Sequence, residues 1–379
     1  MDAGGAEALL AEPLGGENVA FGRPGADSGT VHPNATVARL TAAGTPIAVA
    51  IDASGPQVAS PDVFRLDFTG RGRFEEGCFV PFKLSSQGQV TTGRIGPGTV
   101  TVERNGQTVP VGVTGNYWKY GSRRILQLHL ISVRQGDCDF GGTTRRVRLV
   151  DGTGNLAVND VARPGQQRSA GRQARMAVTR AGDTVVVDLG DGSFSGPTAR
   201  GLVGHPIHVG GAWYTVEVSD DQAAVTAKPF AAATGQVRVD HGEWTMILAS
   251  RDHVFPLAGG TGAIPLPEGL YQVVQYGQRT PVEGQNRVAV LGCSNDGVRP
   301  PIVRIKAAET TDLAIGDPLA PSIRVQIRGS SVRMDFAVAD AAGLAIDGLG
   351  LPTGRRPTPK VTIRDAQGKI VHQGTFEYG

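Results

Sequence analysis

Aspartates placed directly after strand-forming runs are the residues of this chain best suited to do chemistry. From residue 145 to 194 the sequence reads RRVRLVDGTGNLAVNDVARPG, then a polar basic insert, then GDTVVVDLGDGSF. Two strongly β-prone runs, residues 147–150 and 184–189, lead into turns that hold Asp151 and Asn155 in one case and Asp188 and Asp191 in the other. A turn rich in Asp, Asn and Gly after a buried strand gathers oxygen ligands beside a rigid edge. The commoner use of such a turn is to satisfy its own backbone N–H groups.

The remaining catalytic patterns are weak. In LVDGTGN, Gly152 separates the aspartate from the hydroxyl residue, unlike the turn of paired-carboxylate proteases. Glu75, Glu76, Glu217, Glu243 and Glu268 could supply the two facing acids of a glycoside hydrolase, but sequence sets no pair at the needed separation, and they read as solvated strand residues. His205 and His208 stand at i, i+3, which on a strand sends the rings to opposite faces, away from a shared metal with His241 or His253. No GxSxG elbow and no GxxxxGK[ST] loop occurs, and GRIGPG precedes a strand where a phosphate cradle needs a helix. Tyr117, Trp118 and Tyr120, and the pair Trp213–Tyr214, would form a carbohydrate platform if exposed on a sheet. Trp in a sandwich is more often core.

The elements that must position these residues are strands. Gly is 54 of 379 residues with no collagen-like period, spread between short Val, Ile, Leu and Thr runs. Residues 61–84 alternate apolar and polar side chains, and TVTVERNGQTVPVGV places Asn105–Gly106 between two alternating runs, the strongest short-range hairpin signal. Gly210–Gly211 joins HPIHV to AWYTVEV as a second tight turn. PSIRVQIRG pairs with SVRMDFAVAD across Gly329–Ser330, and PKVTIRDAQGKIVHQGTFEYG turns over residues 365–368. The expected fold is therefore all-β and multi-domain: antiparallel meander and sandwich modules with a C-terminal immunoglobulin-like β-sandwich and minimal helix. The expected division is an extended arm over 1–30, a meander domain over 31–228 with its insert at 164–180, a small β module over 229–310 and the last module over 311–379, the last two able to pair as one sandwich.

A formal charge of +2 and arginines scattered over strands point away from nucleic acid, and no apolar run approaches the ~20 residues of a spanning helix. Cys78, Cys138 and Cys293 are far apart without CxxC spacing; they read as buried small hydrophobes, with one disulfide and one thiol as the alternative. The opening segment lacks the basic and apolar parts of a signal peptide.

PDVFRLDFTG, the TVTVERNGQTVPV hairpin, VRLVDGTGNLAVND with GDTVVVDLGDGSF, GGAWYTVEVS and the ending TFEYG together resemble a group of exported β-rich proteins of planctomycete-type bacteria. The resemblance implies export to the periplasm or cell exterior, an acidic calcium-like first loop and a C-terminal domain like the carboxypeptidase-regulatory or immunoglobulin-like sandwiches of surface proteins. The loop departs from the calcium pattern: with Asp151 at position 1, position 6 is Leu156 instead of Gly and position 12 is Ala162 instead of Glu. Any calcium ion would then use Asp151, Asn155 and Asp160 with Asp188 and Asp191, in another geometry. The function expected from all of this is a non-enzymatic structural or adhesion protein of the cell surface or matrix, self-associating through residues 1–30. Carbohydrate-binding modules are the alternative, and a hydrolase on a β scaffold comes third.

Overall fold

The computed structural model describes residues 23–24, 31–42, 45–55, 57–58, 60–104, 107–167, 175–180, 182–281, 288–294, 302–316, 318–329, 331–340, 342, 344–350 and 358–376. Among them every regular element is a strand and none is a helix, so the all-β, multi-sheet reading holds. The chain divides into two compact units, residues 1–163 with 180–230, and residues 164–179 with 231–379.

The first unit begins as an unbroken antiparallel meander. It comprises β1 (Thr36–Ala42), β2 (Thr45–Asp52), β3 (Val63–Asp67), β4 (Phe79–Gln87), β5 (Val90–Arg104), β6 (Gln107–Tyr120), β7 (Arg123–Asp139) and β8 (Thr144–Val150). The chain then leaves through the hairpin β9 (Arg163–Gln167) and β10 (Arg175–Arg180). It returns as β11 (Thr184–Asp188) and β12 (Thr198–Leu202), which extend the same sheet to ten strands by pairing β11 with β8. A three-stranded sheet of β13 (Pro206–Val209), β14 (Ala212–Val218) and β15 (Val225–Pro229) completes the unit.

Alternation along β7 explains the packing. Leu126, Leu128 and Leu130 are buried while Gln127 and His129 are half-exposed on the other face. These leucines share one core with Ile47, Phe64, Phe82, Ile95 and Val111. Further along, Val147, Leu149, Val185 and Val187 of the large sheet share a second core with Ile207, Val209 and Val216 of the small one. Strand β3 is buried on both faces, and its Arg65 is tolerated there because its Nε donates to Asp52 Oδ2 at 2.6 Å. Cys138 is buried, Cys78 is half-buried, and both are free thiols; the Cys293 side chain lies outside the described residues.

The second unit contains β16 (Thr234–Val239), β17 (Glu243–Ala249), β18 (Val254–Gly259), β19 (Ile264–Pro267), β20 (Gly269–Pro281), β21 (Val288–Ser294), β22 (Ile302–Ile305), β23 (Thr310–Leu313), β24 (Ala320–Arg328), β25 (Ser331–Ala339), β26 (Ala345–Gly350), β27 (Lys360–Arg364) and β28 (Ile370–Thr375). Its main sheet runs β18-β17-β20-β21-β26-β25-β24, with β22 also on β20, and β24 ends it. Strands of residues 229–310 and 311–379 thus share one sheet. A second sheet sets β16 between β19 and β23, and β27–β28 form a separate hairpin. Among the described residues, no helix is long and apolar enough to cross a membrane.

Candidate functional site

The loop after β8 and the residue before β11 build one buried acidic cluster. Asp151, Asp160 and Asp183 have 1%, 8% and 0% of their surface exposed. Asp151 Oδ1 accepts from the backbone N–H of Thr153 (3.0 Å) and Gly154 (2.7 Å), and its Oδ2 accepts from Leu156 N–H (2.7 Å) and the Ser132 hydroxyl (3.3 Å). Asp183 Oδ1 accepts from Gly152 N–H (2.9 Å) and Oδ2 from Asp160 N–H (2.6 Å). Asp160 Oδ2 accepts from the Thr153 hydroxyl and from Asn155 Nδ2, both at 2.7 Å. The strands meet so closely here that a Cβ on Gly152 would collide with the Gly182 carbonyl, and one on Gly182 with the Ala162 amide. Glycine at both positions is a packing requirement.

Burial pushes the Asp151 carboxyl above its ordinary range, against the pull of its four hydrogen-bond donors. Burial also drives Asp183 up to about 8; the Gly152 and Asp160 amides lower it, while the neighbouring Asp151 and Asp160 carboxylates raise it further. Three acids buried side by side repel one another, and a proton on Asp183 relieves that repulsion.

Asp188 and Asp191 stand elsewhere, for a topological reason. Strands β8 and β11 are antiparallel, with Val150 opposite Thr184 and Val147 opposite Val187. The turn after β8 therefore lies beside the start of β11, and the turn after β11 lies at its other end, about 13 Å away for four residues of strand. There Asp188 accepts from Gly190 N–H at 2.6 Å and from Phe194 N–H, and Asp191 accepts from Ser193 N–H at 2.9 Å. Burial raises Asp188, but the Gly190, Phe194 and Gly192 amides together outweigh it and leave the carboxyl below its usual range. The five expected calcium ligands thus fall into two separate turns, with Asp151, Asn155 and Asp160 in one and Asp188 and Asp191 in the other. Among the described residues no group of three or more His, Cys, Asp or Glu is arranged to hold a metal ion.

The other candidates disperse. Glu75, Glu76, Glu217, Glu243 and Glu268 are all exposed, and Glu217 and Glu243 pair with Lys228 and Arg279. His205 is buried with Nε2 2.8 Å from the Ala162 carbonyl oxygen, His208 lies 5.0 Å from the Trp213 ring, and His241 Nε2 sits 2.9 Å from the Ile315 carbonyl oxygen. Of the aromatics, Tyr117 and Trp213 are core residues, whereas Trp118 is half-buried and Tyr120 is 47% exposed on the opposite face of β6.

Sequence reading missed Asp183 and a device shared across the molecule. Among the described residues seven strands end on, or directly before, an aspartate whose carboxylate accepts N–H groups from the following turn: Asp52, Asp67, Asp139, Asp151, Asp188, Asp340 and Asp365. The available signal was an aspartate at the end of a β-prone run with a glycine within the next three residues. Chemically the arrangement stitches turns to strand ends, since each oxygen so used is already an acceptor. Compared with protein-family models, curated proteins and solved structures, the chain matches none.

Proposed function

We propose that this chain is a non-enzymatic structural or adhesion protein of the cell surface or extracellular matrix, exported and self-associating. The observation that supports this reading best is the hairpin β24–β25 at the end of the eight-stranded sheet. Ile323, Val325 and Ile327 alternate along one face of β24, and the register sets Phe336, Met334 and Val332 beside them. Ile323, Val325, Ile327 and Val332 are 51%, 53%, 73% and 55% exposed. Together they leave on the order of 400 Å² of apolar surface in water, as much as the largest patch of a typical monomer. Proteins that stay monomeric blunt such an edge.

The occupant is a second copy. Antiparallel pairing of β24 with its two-fold mate centred on Val325 would set Ile323 against the mate's Ile327 and Arg324 against its Gln326. Centring one residue pair later would instead oppose Arg324 to Arg328. The charges thus favour one register. The patch falls short of the ~800 Å² per partner of a stable interface, and strand-edge hydrogen bonds add to it. Of the arm over 1–30 only residues 23–24 are described; as a donated strand it would compete for the same edge. Size-exclusion light scattering tests the reading. The full chain should run as a dimer or larger, and Val325→Lys should convert it to monomer with an unchanged melting midpoint. A chain beginning at Thr30 that still assembles assigns the contact to β24, and a monomeric full-length protein overturns self-association.

A further inference from the structure

We infer that the outer face of β4–β7 is a binding face for an acidic polysaccharide, with Trp118 as its stacking platform. The face is defined by register. Phe82, Ile95, Tyr117 and Leu126 point into the core, so the residues between them point out. Two cross-strand rows result. One reads Ser85, Thr92, Trp118, Ile125, and the next reads Lys83, Arg94, Asn116, Gln127. Each row spans four strands, about 14 Å, and the rows lie about 7 Å apart. Tyr120 follows Trp118 by two residues and continues the aromatic line toward the hairpin tip.

Three observations make this face unusual. Lys83, Arg94, Asn116 and Gln127 have no side-chain hydrogen bond or ion pair among the described residues. Lys83 and Arg94 stand directly opposite each other on adjacent strands, an arrangement that like charges make unfavourable until an anion lies between them. The surrounding chain keeps acids away: from residue 77 to 136 there are seven basic residues, Lys83, Arg94, Arg104, Lys119, Arg123, Arg124 and Arg134, against one acid, Glu103, in a chain whose totals are 37 and 35. By register Lys83, Arg94 and Arg123 lie on the outward side, against Glu103 further along β5, so this face carries a positive excess although the whole protein is nearly neutral.

The chemistry fits a hydroxyl-rich anion. An indole face takes the apolar side of a sugar ring, the amides of Asn116 and Gln127 offer donors and acceptors to its hydroxyls, and Lys83 with Arg94 receives a carboxylate or sulfate. A nucleic-acid strand would instead call for cations tracking its backbone along several aromatic stations. Here neutral hydrogen-bonding side chains outnumber the cations on the face. This inference gives the adhesion reading a ligand and rests on it for biological sense only.

The test uses the full chain and its own fluorescence. Trp213 and Trp244 are buried, so a change in tryptophan emission on ligand addition reports Trp118. Alginate should quench or shift that emission with an affinity that weakens as salt rises, and neutral dextran should not. Arg94→Gln and Trp118→Ala should each weaken alginate binding in affinity electrophoresis by tenfold or more while the melting midpoint stays put. The inference is overturned if alginate does not bind, if both variants bind it unchanged, or if a single-stranded DNA oligonucleotide displaces it at equal concentration. The self-association reading has its own arm at Val325, so loss of one result leaves the other standing.

Discussion

At the scale of single residues, folding changes the chemistry of Asp183. The fold lifts it from the ordinary 3.8 to about 8, so the native state keeps a proton that the unfolded chain has released. Its contribution to stability is complete below about pH 4 and is lost progressively as the pH climbs to about 8. Asp151 shifts in the same direction, through burial. The lowered acids, Asp62, Asp188, Asp191 and Asp221, act only below pH 4, but His208 and His253, both lowered by burial, add stability as the pH rises towards 6.5 and oppose the Asp183 slope there. The Asp183 slope is read as a difference: between pH 5 and pH 8 the denaturant midpoint of the wild type should fall relative to that of Asp183→Asn. Parallel pH profiles for the two proteins would show Asp183 ionised in the native protein. The sequence exposed Asp151, Asn155 and Asp160 because they share one loop. It hid Asp183, which lies beyond the insert and meets that loop only through β8–β11 pairing.

At the scale of elements, what was legible was whatever a few adjacent residues decide. Gly210 and Gly211 have φ of +60° and +92°, and Val209 pairs with Ala212 around them, as the two-residue turn requires. Arg328 pairs with Ser331 beyond Gly329, and Asp365 holds its hairpin by accepting from Gln367 and Lys369. The Asn105–Gly106 turn lies outside the described residues, although Arg104 pairs with Gln107 on either side of it. Illegible were the pairings that no local signal encodes. Strand β16 runs parallel to β23 across 74 residues, with Arg238 and Asp312 bridging them at 2.7 Å, and β11 finds β8 only after the insert. Antiparallel pairing places Asp151, Asn155 and Asp160 at one end of β11 and Asp188 and Asp191 at the other, because strands paired this way end on opposite sides. Gly211→Val tests the turn: a β-branched residue resists positive φ, so thermal unfolding should cost about 1 kcal/mol more in lost stability than the neighbouring control Ala212→Val. Equal losses would mean that the turn tolerates the change.

At the scale of the molecule, the two units have separate sheets, and the Asp183 network lies within residues 1–163 and 180–230. Whole-chain averages concealed this organisation, just as a net charge of +2 concealed an acid-poor stretch of 60 residues within the large sheet. Units with their own cores unfold as their own cooperative blocks. Calorimetry should accordingly resolve two transitions. Asp183→Ala leaves the Gly152 and Asp160 amides without their acceptor in a buried site, a loss on the order of 2 kcal/mol at pH 5. That loss should lower one transition by several degrees and leave the other in place. If both transitions move together, the units unfold as one block, and the division into independent folding units fails even though the sheets remain distinct.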